Sequence, residues 1–147
     1  MLRRGRADEG SILPLVAGYG ALALLVVLLV SAATSLYLER KRLLTLADGA
    51  ALAGAEAFEL TDLTLGPDGA ITRPPLVDAA VRDVVEQYLT EAPVQGFEGL
   101  RLERAESEDG TSATVQLSSF WRPPVVTLFV PEGIRLDVMT VGRSVVG

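Results

Sequence analysis

The hydrophobic pattern of the chain begins with a long apolar run that contains no charged residue. The run covers residues 11–38, and basic residues flank it on both sides. At about 1.5 Å per residue, a helix of this length extends roughly 42 Å, whereas the hydrocarbon core of a bilayer is about 30 Å thick. The pattern therefore predicts a membrane-spanning helix, with Tyr19 and Tyr37 as interfacial aromatics. A buried core helix and a cleaved signal peptide are the alternatives.

The helical pattern continues beyond the charged residues 39–42. Small and apolar residues recur at intervals of three and four positions, which predicts one continuous helix from about Pro14 to Phe58. Small side chains permit close approach of another helix or a sheet, and in lipid they favour helix association. Packing within the chain is the alternative use of such residues. The candidate helix-packing residues are Ala17, Ala21, Ala47, Ala50, Ala51 and Gly54.

The rest of the pattern predicts a second helix followed by strands. Turn-forming residues in the segment 61–75 end the long helix, and residues 76–89 have the apolar spacing of an amphipathic helix. Apolar and polar residues then alternate on both sides of Asp109 and Gly110, which predicts a hairpin. Because Arg104 interrupts the apolar face of the first strand, we expect that strand to be short or bulged. Residues 134–141 alternate as a third strand.

An apolar segment interrupted by prolines, residues 120–131, connects the second and third of these strands. It could cover the end of the sheet, lie on the membrane or contact a partner. Trp121 and Phe129 are the candidate partner-contact residues. The fold class that these elements predict is α+β, with a long N-terminal transmembrane helix that continues into a small domain with a second helix and a three-stranded antiparallel sheet.

The composition removes several classes of chemistry. The 147 residues include no histidine and no cysteine, which excludes Ser-His-Asp and Cys-His catalysis, thiol redox chemistry and zinc sites built from those ligands. Residues 1–42 carry a net charge of +3 and residues 43–147 a net charge of −9. Nucleic acid is therefore not an expected partner, because phosphate backbones require clustered Lys and Arg. We expect no enzyme activity, no cofactor and no metal.

Residues 6–15, the long apolar helix and the alanine-rich residues 46–55 resemble the actinobacterial TadE/TadG-like proteins of Flp (tight adherence) pilus assembly. This resemblance implies a non-enzymatic, pilin-like or pilus-assembly protein in the cell membrane, with its amino terminus cytoplasmic and its carboxyl-terminal domain outside. The implied partners are membrane lipid and pilin or pilus-assembly proteins. The implied division is a cytoplasmic leader-like segment (1–10), a transmembrane helix (11–38), an extracytoplasmic continuation of that helix (39–60) and a small acidic α+β domain (61–147).

The same resemblance implies cleavage by a prepilin peptidase between Gly10 and Ser11. Such pilins usually have a glutamate at the fifth position after the cut, which helps to register neighbouring subunits, whereas this chain has Leu15. A filament subunit and a membrane-retained assembly factor are therefore both open. The alternative function is a single-pass, membrane-anchored extracytoplasmic binding module unrelated to pili.

Overall fold

The computed structural model describes residues 12–57, 64–65, 71–72 and 75–143. Gly10 and Ser11, the predicted cleavage site, lie outside the described residues. The elements follow in the order α1 (Ile12–Ala55), β1 (Thr64–Leu65), β2 (Ile71–Thr72), α2 (Asp78–Glu91), β3 (Glu98–Glu106), β4 (Ser112–Trp121), α3 (Pro124–Thr127) and β5 (Ile134–Arg143). The predicted α+β class, with a long apolar helix, a second helix and a three-stranded antiparallel sheet, is confirmed.

The long helix α1 is continuous through the charged residues 39–42. Its 44 residues extend about 66 Å at about 1.5 Å per residue. Two parts of α1 differ in their surroundings. Every side chain of residues 12–31, here called the lower segment, is exposed, whereas residues 32–55, the upper segment, include all the buried positions of the helix.

The sheet has the strand order β3-β4-β5, and both pairings are antiparallel. The hairpin between β3 and β4 turns at Asp109 and Gly110 as predicted, and Gly110 adopts a left-handed φ of 68° that suits glycine. The first strand is bulged rather than short, because the register shifts between Leu102 and Arg104. The β1–β2 pair adds a short antiparallel pairing to a segment for which the sequence predicts turns alone.

The upper segment of α1, α2 and one face of the sheet enclose a single core. Leu43 and Ala50 of α1, Val81 of α2, and Val115 and Leu117 of β4 are each fully buried. We call this unit, made of the upper segment, α2 and the sheet, the head domain. The N-terminal helix is therefore at once the membrane-length element and a central part of the head domain's core.

Candidate functional site

The lower segment of α1 is an apolar cylinder that the rest of the described structure leaves exposed. Its 20 residues extend about 30 Å, the thickness of the hydrocarbon core of a bilayer. Among the described residues one helix, α1, is long and apolar enough to cross a membrane; the mean hydropathy of its qualifying window is 2.5, and 0 % of that window is buried within the chain. This exposure argues against a buried core helix and fits single-pass membrane anchoring.

The predicted helix-packing residues divide between the two parts of α1. Ala17 and Ala21 are exposed on the lower segment, so their contact with another helix stays a prediction. The other four residues are buried in the head domain, where they allow α2 and the sheet to approach the helix closely: Ala47, Ala50, Ala51 and Gly54. A Cβ atom added at Gly54 would lie 3.0 Å from Val85 Cγ2 and 3.2 Å from the Cβ of Ala113.

Gly142 of β5 is a packing residue that the sequence interpretation missed. A Cβ atom at this position would lie 2.4 Å from the carbonyl carbon and oxygen of Ala51 and 2.7 Å from the amide nitrogen of Leu52. The backbone of β5 therefore contacts the backbone of α1 directly. A signal was present, because Gly142 continues the alternating phase of Leu136 and Val138, and glycine inside a strand often marks a close backbone approach.

Two contacts fix the direction of the sheet along α1. Ala113, near the start of β4, lies beside Gly54, whereas Trp121, at the end of β4, donates a hydrogen bond from Nε1 to Ser35 Oγ over 3.2 Å. Strand β4 therefore runs antiparallel to α1, and its last residue points toward the lower segment. Trp121 is only 7 % exposed because it packs inside the chain, so its predicted contact with a partner stays a prediction that this burial does not favour.

The connection between β4 and β5, residues 122–133, lies at the end of the sheet that faces the lower segment, because Trp121 pairs with Ile134 there. It contains the short helix α3 and no charged residue between positions 123 and 131. Phe129 is 83 % exposed and Leu128 is 79 % exposed, and both exceed every other exposed large apolar residue of the described chain. The predicted partner-contact residue Phe129 is thus available to a partner.

A groove of about 520 Å³ lies where α1 leaves its apolar run. Leu38, Lys41 and Arg42 line it from α1, and Tyr88 and Phe97 line it from the head domain. The hydroxyl of Tyr88 lies close to Gly49, where a Cβ atom would collide with it. The groove has apolar walls and charged walls of both signs, since Glu39 also lines it, and its lining residues include no pair arranged as nucleophile and base.

The solvent face of the sheet carries ion pairs that neutralise part of its acidity. The Arg135 guanidinium contacts Asp137 and Glu103, each at 3.0 Å, and its hydrogen bond with Asp137, with that carboxylate's charge, raises the pKa of Arg135. At the hairpin turn, the backbone N–H of Thr111 and the Ser112 hydroxyl donate to Asp109 and lower the pKa of that carboxyl. These exposed groups stabilise the turn and the strands rather than forming a reactive centre.

The described part of the chain contains no group of three or more acidic residues that could hold a metal ion. Asp48, an acidic residue of α1 that follows the buried Ala47, is exposed to solvent. The surfaces that stand out are therefore apolar: the lower segment of α1 and the β4–β5 connection. Both are suited to lipid or protein contact.

Comparison with known proteins agrees with that description. No curated protein and no solved structure matches the chain. A family model does match, and it covers all of α1, both the exposed lower segment and the buried upper segment. The actinobacterial character of the resemblance is not part of this match and stays a prediction. Residues 10–57 match the Flp pilus-assembly TadE/G-like family.

Proposed function

We propose that this chain is a non-enzymatic, single-pass membrane protein that acts in Flp pilus assembly, either as an assembly factor or as a minor pilin-like subunit. In this proposal residues 1–10 are cytoplasmic and the head domain lies outside the cell membrane. The observation that carries the proposal is that α1, the element matched to the pilus-assembly family, presents a bilayer-length apolar surface that the described residues leave exposed.

The mechanism is lateral association of helices within the bilayer. Ala17 and Ala21 lie on one side of the lower segment and are both exposed, so a neighbouring pilin helix can approach that side closely and gain van der Waals contact. Because α1 is continuous and its upper segment forms part of the core, an association in the membrane also fixes the position of the head domain. The head domain can then contact other assembly proteins at a defined height.

Leu15 supports the membrane-retained form of this proposal. A glutamate within a lipid-exposed helix is costly and needs a partner, which favours transfer of a pilin out of the bilayer into a filament. Leu15 is 60 % exposed and apolar, so α1 carries no such penalty within lipid. We therefore favour an assembly factor over a filament subunit.

The test compares piliation in the native bacterium, in a strain that lacks this chain, and in that strain complemented with helix variants. The double variant Ala17→Leu, Ala21→Leu places bulk on the proposed contact side. Ala23→Leu is the matched control, because at about 100° per residue it lies roughly 140° away on the same exposed cylinder. We expect the double variant to insert normally but to lose pili and co-purification with pilus proteins, and the control to retain both.

Equal piliation by the two variants would contradict the proposed contact. Recovery of only an unrelated external protein, with normal pili in a strain that lacks the chain, would contradict the pilus role and favour the membrane-anchored binding module instead. Thermal unfolding of the head domain is measured in each variant to show that the substitutions act in the membrane and not on the core.

A further inference from the structure

We propose that the apolar connection between β4 and β5 inserts into the lipid leaflet beside α1, so that the head domain has a second membrane contact. The segment concerned is residues 123–131, here called the dipping loop. The inference rests on the membrane span in the proposed function but not on any role in pili. Its proposed occupant is the interfacial region of a phospholipid bilayer.

The height of the dipping loop along α1 is the first argument. The fully exposed lower segment ends at Ser31, and the first charged residue of the helix after it is Glu39. Ser35, which accepts the hydrogen bond of Trp121, lies between them, about 6 Å along the axis from each. The polar headgroup layer occupies about 5–8 Å on each side of the hydrocarbon. Trp121 therefore sits at the level that interfacial tryptophans prefer.

The direction of the chain is the second argument. Strand β4 runs toward the lower segment and ends at Trp121, and β5 starts opposite it at Ile134. The dipping loop is the connection beyond these two residues, so it lies at the end of the sheet nearest the lower segment, where Val126 anchors it against the core. Its tip carries Leu128 and Phe129, the two most exposed large apolar side chains of the described chain.

The hydrogen bonds of the dipping loop are the third argument. Each unpaired backbone group raises the free energy of moving a segment from water toward lipid, so internally paired donors lower the cost of entering the headgroup boundary. Three prolines, at positions 123, 124 and 131, have no backbone N–H to satisfy. The remaining amide groups that donate to carbonyls within the loop are those of Val126, Thr127, Leu128, Phe129 and Val130. The Thr127 hydroxyl also donates to the Pro124 carbonyl. The loop can therefore leave water with few unpaired donors.

The base of the dipping loop is polar where the tip is apolar. The Arg122 side chain donates from Nε to the Glu132 carbonyl over 3.0 Å, and its guanidinium lies 3.4 Å from the Glu98 carboxylate. This division of charged base and apolar tip suits an element that penetrates only the headgroup and acyl boundary. In a loop surrounded by water, the exposed side chains of Phe129 and Leu128 would gain no favourable burial.

The experiment uses spin labels, because the chain contains no native cysteine and single-cysteine variants carry no background. Phe129→Cys tests the loop tip, Val26→Cys is the lipid reference and Met139→Cys is the water reference. Each position is at least 49 % exposed, so labelling does not disturb the core. The full-length chain is reconstituted in vesicles of phosphatidylcholine and phosphatidylglycerol. The collision rate of the spin label with oxygen, which concentrates in lipid, is then compared with its collision rate with a water-soluble nickel complex.

We expect the label at position 129 to collide more often with oxygen than with the nickel complex, as at position 26, and to lie about 5–10 Å into the headgroup and acyl boundary. A label at Leu128→Cys should give the same result. If position 129 behaves like position 139 while position 26 is in lipid, the dipping loop is overturned and the span stands. If position 26 is also aqueous, the span itself fails. Spin–spin broadening at position 129 that disappears on dilution in lipid would identify a second copy as the occupant and overturn the proposal.

Discussion

The contact between the backbones of β5 and α1 allows a sharp test of how the head domain is built. The substitution Gly142→Ala adds a Cβ atom that would lie 2.4 Å from the Ala51 carbonyl. No side-chain rotation relieves this contact, because the obstructing atoms belong to the helix backbone. Either β5 or the upper segment of α1 must move, and both are held by the core.

The expected cost follows from that geometry. Overpacking a core costs about 1–3 kcal/mol, and a backbone obstruction places this variant near the upper limit. Replacing glycine also reduces the entropy of the unfolded chain, which returns about 0.4–1 kcal/mol. The net loss is then about 2 kcal/mol. For a domain of this size, about 1 kcal/mol shifts Tm by roughly 4–8 °C, so we expect Tm to fall by roughly 8–16 °C.

Trp121 supplies the assay, because it is the single tryptophan of the sequence and is 7 % exposed in the folded chain. Its fluorescence during heating reports unfolding of the head domain in detergent or in nanodiscs. The matched control is Gly18→Ala on the lower segment, where an added Cβ atom meets nothing within 4 Å. The control should have the same Tm as the wild type. A Gly142→Ala variant that also melts with the wild type would refute the close approach of β5 to α1.

Three further outcomes follow. Asp109→Asn should destabilise the head domain at neutral pH; because the folded-state pKa is lowered, that difference should shrink as pH falls below the unfolded pKa of about 3.9 and disappear only as pH passes below the folded-state pKa, and a difference that is as large in strong acid as at neutral pH would contradict the assignment. Ser35→Ala should cost about 0.5–1.5 kcal/mol in a melt and shift Trp121 emission, whereas unchanged emission would exclude the hydrogen bond. Mass spectrometry of the mature chain should find residue 11 first if cleavage follows Gly10, and an intact leader would contradict cleavage.

Much of this fold is predictable because its periodic signals are strong. The uncharged apolar run and the three- and four-residue spacing after it predict α1, and no helix breaker interrupts them at residues 39–42. The alternation of apolar residues in β3 shifts by one position between Arg104 and Ala105, and this shift indicates the bulge. A bulge inserts one extra residue, which returns Ala105 to the buried face of the strand.

The tertiary partners could not be predicted, because no local pattern encodes them. Trp121 and Ser35 are 86 positions apart, and the sequence alone presents Trp121 as one more residue of an apolar connection. Its burial depends on the direction of β4 along α1. The exposure of Phe129 depends on the same direction. Trp121 and Phe129 therefore look alike in the sequence, although one is buried and the other is exposed.

The central claim is that residues 12–31 lie in lipid and the head domain lies outside. An impermeant maleimide applied to intact cells tests it on two single-cysteine variants, Leu24→Cys and Leu52→Cys. Both positions are exposed within the chain itself, at 61 % and 48 %, so burial in the fold does not account for a difference between them. We predict that position 52 reacts and position 24 is protected. Equal reaction of both positions in intact cells would contradict the membrane span, and reaction of position 52 only after lysis would contradict an external head domain.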